Sequence, residues 1–211
     1  MEIANPEFTT GNAVALLPGS FHPPTIAHLG LAQAALARVD TVLFALPRAF
    51  PHKTYEQVPF ATRLLVLQNL IAAHPRFAIA LPTGGLFAEM AREFRALRPQ
   101  TREIFLLCGR DAAERIVAWP YPEADPIERQ LNDFQLLVAA RDGLYTPPPA
   151  LESRIVTLPA AANWDEISST RVRHAIQASK PWRHLVPEPI HELVESLYSP
   201  SRLDSRNVRS R

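Results

Sequence analysis

The chain of 211 residues carries 22 Lys and Arg residues against 21 Asp and Glu residues, and this balance excludes broad, non-specific binding to nucleic acid. Its one cysteine excludes a disulfide framework and is typical of a reducing compartment. No apolar run approaches the roughly 18 residues needed to span a bilayer, and the N-terminus has no signal pattern. We therefore expect a cytoplasmic protein without a membrane or nucleic-acid partner, and whether it forms a homo-oligomer is left open.

Six short apolar runs have the pattern of strands buried on both faces of a sheet. The residues before them, 1–12, are interpreted as a loose lead-in. Because the runs lack polar alternation, they predict a parallel sheet covered on both sides. The predicted strands are Ala13–Leu17, Thr41–Ala45, Phe77–Leu81, Glu103–Cys108, Phe134–Ala140 and Arg154–Leu158.

Helical patterns alternate with these strands. Thr25 is the predicted N-cap of the first helix, whose core stripe is Ile26, Leu29, Leu36 and Val39. The alternation predicts an α/β fold, a doubly wound Rossmann-like parallel sheet with helices on both faces. We expect one domain over 1–198, with a C-terminal helical part from about residue 168, and a polar Arg-rich tail over 199–211. The predicted helices span 26–39, 60–73, 85–97, a segment ending at 119, 169–179 and 189–197.

Ligands of such a sheet bind at the carboxyl ends of its strands. Most of the residues with useful chemistry lie in the loops that the pattern places at this edge. Those loops are Pro18–His28, Leu46–Pro59, Gly109–Asp111, Arg141–Gly143 and Pro159–Thr170.

The turn from Gly19 to His28 joins a predicted strand to a helix N-terminus, where free amides and the helix dipole favour a phosphate. His28 lies three residues after Thr25 on the same side of the helix, where it can donate a hydrogen bond to a phosphate oxygen. The turn matches neither the P-loop nor the dinucleotide fingerprint. The alternative is an ordinary strand–helix turn in which His22 and His28 are incidental.

A second donor-rich segment lies near the C-terminus. The hydroxyls of Ser168, Ser169 and Thr170 precede Arg171 and Arg173 at a predicted helix start. Hydroxyls, free amides and guanidinium groups are the donors that a polyphosphate requires. The two arginines are two positions apart, so they cannot both face one ligand. The alternative is a serine cap followed by a solvated basic face.

Together these segments resemble the paired signature of adenylyltransferases in the nucleotidylyltransferase superfamily. Residues 19–28 resemble its Gly-Thr/Ser-Phe-x-Pro-x-His/Thr-x-Gly-His segment, and 167–173 resemble its Ile-Ser-Ser-Thr-x-x-Arg segment. The resemblance is closest to the nicotinate or nicotinamide mononucleotide adenylyltransferases and covers roughly residues 13–197. It includes 51–53 as the Pro-His-Lys loop, 109–111 as Gly-x-Asp, and 141–143 as the Arg-x-Gly turn.

The resemblance implies transfer of AMP from ATP to a pyridine mononucleotide in NAD biosynthesis, with release of pyrophosphate. It implies Mg²⁺ bound mainly through the ATP phosphates, with no metal ligands from the protein. The implied catalytic residues are His28, Lys53 and Arg173. The implied ATP-binding residues are Gly19, Ser20, Phe21, His22, Thr25, His28, Gly109, Asp111, Ser168, Ser169, Thr170 and Arg173. The implied acceptor-binding residues are Lys53, Thr83, Trp119 and Arg141.

The chain departs from the signature at two positions and in one segment. Ala27 replaces a glycine, His22 replaces the usual Asp or Asn, and residues 82–90 lack a Tyr-Thr pair. Two alternative functions stay open: an adenylyl- or cytidylyltransferase with another phosphorylated acceptor such as phosphopantetheine, and a non-catalytic nucleotide-binding homologue. Single residues also have simpler interpretations: a solvated loop residue for Lys53, a helix cap for Asp111, and core packing for Trp119.

Overall fold

Seven strands form one sheet in the computed structural model, which describes residues 1–5, 8, 11–49, 58–140, 145–159, 164 and 166–199. The strands are β1 Glu2–Ile3, β2 Ala13–Pro18, β3 Thr41–Ala45, β4 Phe77–Leu81, β5 Glu103–Gly109, β6 Gln135–Ala139 and β7 Ile155–Leu158. Their order in the sheet is β1-β4-β3-β2-β5-β6-β7. Strands β2 to β7 are parallel, which confirms the doubly wound arrangement predicted from the apolar runs.

The edge strand β1 corrects the interpretation of residues 1–12 as a loose lead-in. Glu2 lies opposite Leu81 and Ile3 opposite Ala80, so β1 pairs antiparallel with β4. Two residues are too few to show any periodicity, and their strand conformation comes from pairing with a distant segment. The sheet is therefore parallel with one antiparallel edge.

Seven α-helices connect or follow the strands in the described part of the chain. The helix α1 ends at Ala35, earlier than predicted, and a turn leads from it to Val39. None of the helices in the described ranges is long and apolar enough to cross a membrane. The helices are α1 Ile26–Ala35, α2 Phe60–Ile71, α3 Phe87–Leu97, α4 Arg110–Val117, α5 Ile127–Gln130, α6 Ser169–Gln177 and α7 His191–Tyr198.

The predicted core stripe of α1 is confirmed in part, because Val39 is buried in the core and Leu29 and Leu36 pack against it. The fully buried positions within the helix are Gly30, Ala32 and Ala35, and Ile26 is only partly covered. Small side chains let a helix backbone approach its neighbours closely, and here an indole occupies the space above Gly30. A Cβ atom at Gly30 would lie 2.1 Å from the ring of Trp164.

The helices divide between the two faces of the sheet. Apolar side chains of α1, α2, α6 and α7 join one buried cluster, which includes Leu17, Phe44 and Val172. Side chains of α3, α4 and α5 join the other cluster, which includes Leu16 and Met90. Both faces are therefore covered, as continuous apolar strands require. The boundary at residue 198 stays a prediction, and 200–211 lie outside the described residues.

The strand order places a crevice beside β2. The chain runs from β2 outward to β3 and β4, then returns to β5 on the other side of β2. In doubly wound sheets, ligands bind at such a switch point, outside the carboxyl ends of the strands. The turn after β2 and the turn after β5 are the walls of this crevice.

Candidate functional site

The turn after β2 is held in a conformation that a side chain at Gly19 would disturb. The backbone N–H of Gly19 donates to the carbonyl of Ala45 over 3.0 Å. Phe21 has a left-handed φ of 47° and a fully buried ring that contacts Phe44. A Cβ atom at Gly19 would lie 2.8 Å from the Phe21 ring. The glycine is therefore required by the close approach of this ring.

Thr25 is the N-cap of α1, as predicted, and it orients His28. The backbone N–H of Thr25 donates to Nδ1 of His28 over 3.1 Å. The Thr25 hydroxyl lies 2.7 Å from the same nitrogen. Because Nδ1 accepts a hydrogen bond from the backbone N–H, the neutral ring carries its own proton on Nε2. The Phe21 ring meets the imidazole edge-on at a centroid distance of 5.3 Å, which adds a second restraint on its orientation.

Burial lowers the pKa of His28 from 6.5 to about 4. The ring is therefore neutral near pH 7, and Nε2 remains a hydrogen-bond donor. A neutral donor at a helix N-terminus can bind an oxygen that gains negative charge without a change in its own protonation.

The N-terminus of α6 binds the turn after β2, although the two segments are far apart in the chain. The hydroxyl of Ser169 donates to the carbonyl of Pro23 over 2.7 Å. Nη1 of Arg173 donates to the carbonyl of His22 over 2.7 Å, and its Nη2 donates to the Thr170 hydroxyl over 3.2 Å. The structure therefore joins the two donor-rich segments that were identified separately in the sequence.

The other polar residues of this helix start have different partners. Ser168 is the N-cap and accepts the backbone N–H of Arg171 over 3.1 Å. The guanidinium of Arg171 pairs with Glu166 over 2.8 Å at the surface. Serine capping and a solvated basic residue were the simpler interpretations, and they describe these two positions. The ligand roles predicted for Ser168 and Thr170 stay predictions.

His22 is buried beneath the turn, with 5% of its surface exposed. Burial, followed by the positive charges of Arg173 and Arg63, lowers its pKa from 6.5 to about 4. The ring of Tyr198 in α7 meets it edge-on at 5.2 Å. The position at which the chain departs from the signature thus holds a neutral ring that packs against the C-terminal helix.

The turn after β5, on the other side of the crevice, has free space beside it. Gly109 is the N-cap of α4, and a Cβ atom built on it would meet nothing within 4 Å. Asp111 is the second residue of α4 and is exposed. The interpretation of Asp111 as a helix cap is therefore wrong, because the cap position belongs to Gly109. The role of both residues in ATP binding stays a prediction.

The predicted acceptor residues are only partly described. Trp119 follows α4 and is 56% exposed, so its interpretation as a core residue is wrong. The backbone N–H of Thr83 donates to Glu93 over 3.1 Å, and its hydroxyl points to the same carboxylate over 3.4 Å. Contact of Thr83 or Trp119 with an acceptor stays a prediction. The catalytic and acceptor residue Lys53 and the acceptor residue Arg141 lie outside the described residues.

One residue of the site was missed in the sequence. Arg63 in α2 is 4% exposed and donates from Nη1 to the carbonyl of Ser20 over 3.1 Å. The signal that could have found it is a single arginine on the otherwise apolar face of this helix, since a buried charge needs a specific partner.

The donors gathered at the turn are N–H and O–H groups, which suit an anion. Within the described ranges, no group of three or more His, Cys, Asp or Glu side chains could hold a metal ion. The donors at the turn therefore fit a polyphosphate.

Comparison with known proteins decides the family. The model of the cytidylyltransferase-like family matches residues 16–175, a range that includes the whole of both donor-rich segments. The chain belongs to the cytidylyltransferase-like family. Two bacterial relatives are each described as "Probable nicotinate-nucleotide adenylyltransferase". The protein of Exiguobacterium sibiricum is 26% identical over 86% of this chain and 95% of its own. That of Geobacillus thermodenitrificans is 29% identical over 86% of this chain and 83% of its own.

Solved structures show the same fold for this cytidylyltransferase-like chain. The nicotinic acid mononucleotide adenylyltransferase of Plasmodium falciparum complexed with NaAD superposes with a TM-score of 0.66 at 15% identity, covering 89% of this chain and 94% of that one. The same Plasmodium enzyme complexed with APC gives a TM-score of 0.63 at 15% identity, covering 94% and 97%. At this identity the likeness concerns the fold.

Proposed function

We propose that this protein transfers AMP from Mg²⁺-ATP to the phosphate of nicotinate mononucleotide, forming the dinucleotide and pyrophosphate. Relatives that match 83% and 95% of their own length are described as nicotinate-nucleotide adenylyltransferases. The observation that carries the proposal is the Thr25–His28 pair at the switch point, because it presents a neutral donor where a phosphate would lie.

The reaction is an in-line substitution at the α-phosphorus of ATP. An oxygen of the acceptor phosphate forms the new P–O bond, while the bond to the bridging oxygen of the β-phosphate breaks. The electron pair of that bond leaves with pyrophosphate, so negative charge grows on the leaving group. No covalent intermediate with the protein is needed. The protein's task is to align two anions and to stabilise this charge.

His28 meets the growing charge with its Nε2–H. The Thr25 N–H holds the ring in the correct tautomer, and the free amides of the first turn of α1 lie at the same helix N-terminus. A pKa of about 4 keeps the ring neutral throughout the physiological range, so His28 acts as a hydrogen-bond donor and not as a general acid.

Arg173 joins the donor-rich segment at the start of α6 to the turn that leads to His28. Its guanidinium binds the carbonyl of His22 and lies beside Thr170, so its charge is close to both the turn and the start of α6. We assign Arg173, the hydroxyls of Ser168 and Thr170, and the backbone N–H of Ser169, whose hydroxyl is bound to Pro23, to the β- and γ-phosphates. Lys53 would supply a further positive charge, and Mg²⁺ would enter on ATP as part of the substrate.

The acceptor would occupy the crevice beyond Gly109. The open space beside this glycine leaves room for a ligand to approach the backbone at the start of α4. The exposed indole of Trp119 offers a flat apolar surface that suits a pyridine ring. Thr83 and Arg141 complete the proposed acceptor set.

Pyrophosphate release tests the proposal. The purified protein is supplied with Mg²⁺-ATP and, in separate reactions, nicotinate mononucleotide, nicotinamide mononucleotide or phosphopantetheine; a parallel series replaces ATP with CTP. We expect release to be fastest with ATP and nicotinate mononucleotide. Faster release with phosphopantetheine or with CTP would assign the protein to another branch, and binding of ATP without release in any reaction would show a non-catalytic nucleotide-binding protein.

A further inference from the structure

Arg63 is a buried charge that the reaction described above does not use directly. It lies in the first turn of α2, where Val66, Leu67 and Leu70 are its buried neighbours along the helix. Its guanidinium lies 5.8 Å from the centre of the Phe60 ring and donates to the Ser20 carbonyl over 3.1 Å. A buried arginine is costly unless its charge serves a specific contact. One such contact is with the main chain of the turn after β2, at the carbonyl of Ser20.

The bond to Ser20 also determines the direction of the next amide. In a planar trans peptide, the carbonyl and the N–H point in opposite directions. The oxygen of Ser20 points to Arg63 in α2, so the N–H of Phe21, in the same peptide plane, points away from α2. Phe21 also has the left-handed φ of 47° that contributes to backbone nests, in which amides converge on an anion.

The turn is held by side chains on both sides. Arg63 binds the Ser20 carbonyl from α2, while Arg173 and Ser169 bind the carbonyls of His22 and Pro23 from α6. Each of these bonds occupies an oxygen that would repel a phosphate if it faced the ligand. The α6 residues were recognisable from the sequence, whereas Arg63 completes the arrangement from the opposite side.

We propose that Arg63 is a positioning residue of the nucleotide site, which turns the Phe21 N–H toward a phosphate of ATP by holding the Ser20 carbonyl. The inference rests on the proposed function in taking ATP as the ligand. The guanidinium of Arg63 also brings a positive charge to this turn, and that charge helps to lower the pKa of His22.

The test compares Arg63→Met and Arg63→Lys with Arg76→Met. Arg76 is a matched control because it also donates to main-chain carbonyls, those of Leu36, Val39 and Asp40, but at the amino end of β4. Calorimetric titration with Mg²⁺-ATP, without an acceptor, measures affinity, and kinetics with nicotinate mononucleotide separate kcat from KM for ATP.

We expect Arg63→Met to bind ATP at least about tenfold more weakly, since it loses a charge-assisted hydrogen bond that orients a ligand-binding amide. Arg63→Lys keeps the charge and one donor, so it should recover part of the affinity. Arg76→Met should lose thermal stability but keep the ATP affinity and KM of the wild type. A folded Arg63→Met protein with affinity and kcat within about twofold of the wild type would overturn the inference.

A measurement on the unaltered protein decides the matter if Arg63→Met does not fold. Addition of Mg²⁺-ATP should move the ¹H–¹⁵N resonance of the Phe21 amide downfield, as expected when an N–H donates to a phosphate. An unchanged Phe21 resonance at saturating ATP would overturn the inference. Wild-type protein that binds ATP but yields no dinucleotide would contradict the proposed function alone, while the ATP affinities would still judge Arg63.

Discussion

The backbone N–H of Thr25 donates to Nδ1 of His28 over 3.1 Å, so one residue sets both the start of α1 and the tautomer of the imidazole. An N–H cannot donate to a protonated nitrogen, which leaves the ring proton on Nε2. Neutral histidine otherwise divides its proton between two nitrogens. The cap of the helix thereby selects the form of His28 that can donate to a phosphate.

Replacement of His28 tests this donor directly. His28→Ala should lower kcat by about 10²- to 10³-fold, as expected for loss of one preorganised donor to developing charge. The protein should stay folded by circular dichroism. His74→Ala is the control, because His74 lies before β4 at the opposite edge of the sheet and packs against Phe77. Near-normal turnover by His28→Ala would remove His28 from the mechanism.

The buried histidines predict how stability depends on pH. The pKa of His22 falls from 6.5 in the unfolded chain to about 4 in the native state. Between these values the unfolded chain binds more protons, so the free energy of unfolding decreases as the pH falls. At about pH 5, the loss from His22 is on the order of 2 kcal/mol relative to neutral pH.

Urea denaturation at about pH 7.5 and about pH 5 measures this loss. His22→Asn cannot gain a proton at this position, so its stability should fall less than that of the wild type between the two pH values. Equal losses in the two proteins would show that protonation of His22 does not destabilise the native state.

Trp119 is expected to act on the acceptor and not on ATP. Trp119→Ala should raise the KM for nicotinate mononucleotide by about tenfold, since stacking on a base-like ring contributes about 1–3 kcal/mol. The affinity for ATP and the melting temperature should change little, because the indole is 56% exposed. Leu65→Ala is the control, as Leu65 is 46% exposed on α2. An unchanged KM for the acceptor would exclude Trp119 from the acceptor site.

The contact between Gly30 and Trp164 predicts whether Gly30→Ala stabilises or destabilises the protein. Gly→Ala within a helix ordinarily stabilises a protein by up to about 1 kcal/mol. At Gly30 the new methyl group would lie 2.1 Å from the indole, so Gly30→Ala should instead destabilise by about 1–3 kcal/mol. In a Trp164→Ala background the same change should be neutral or stabilising. Thermal denaturation of the four proteins forms a complete cycle, and an equal effect of Gly30→Ala in both backgrounds would contradict the predicted clash.

Patterns within short stretches of sequence predict much of the architecture. Apolar runs identified β2 to β7 to within two residues at each end, because continuous burial on both faces leaves no polar alternation. They could not reveal β1, whose two residues become a strand only by pairing with β4. The apolar stripe of α1 correctly placed Val39 in the core but did not reveal the burial of Gly30, which depends on the indole that packs over it.

The candidate site likewise combines features that the local sequence predicts with contacts that only tertiary packing forms. The identity and spacing of residues 19–28 and 167–173 indicated phosphate binding, since donors and a helix N-terminus are encoded locally. Tertiary structure alone shows that Ser169 and Arg173 bind the carbonyls of Pro23 and His22, and that Arg63 binds Ser20 from a third segment. These bonds join groups that are 43 to 151 positions apart in the chain. Local propensity carries no information on such partners, because they meet only when the sheet and its helices have packed.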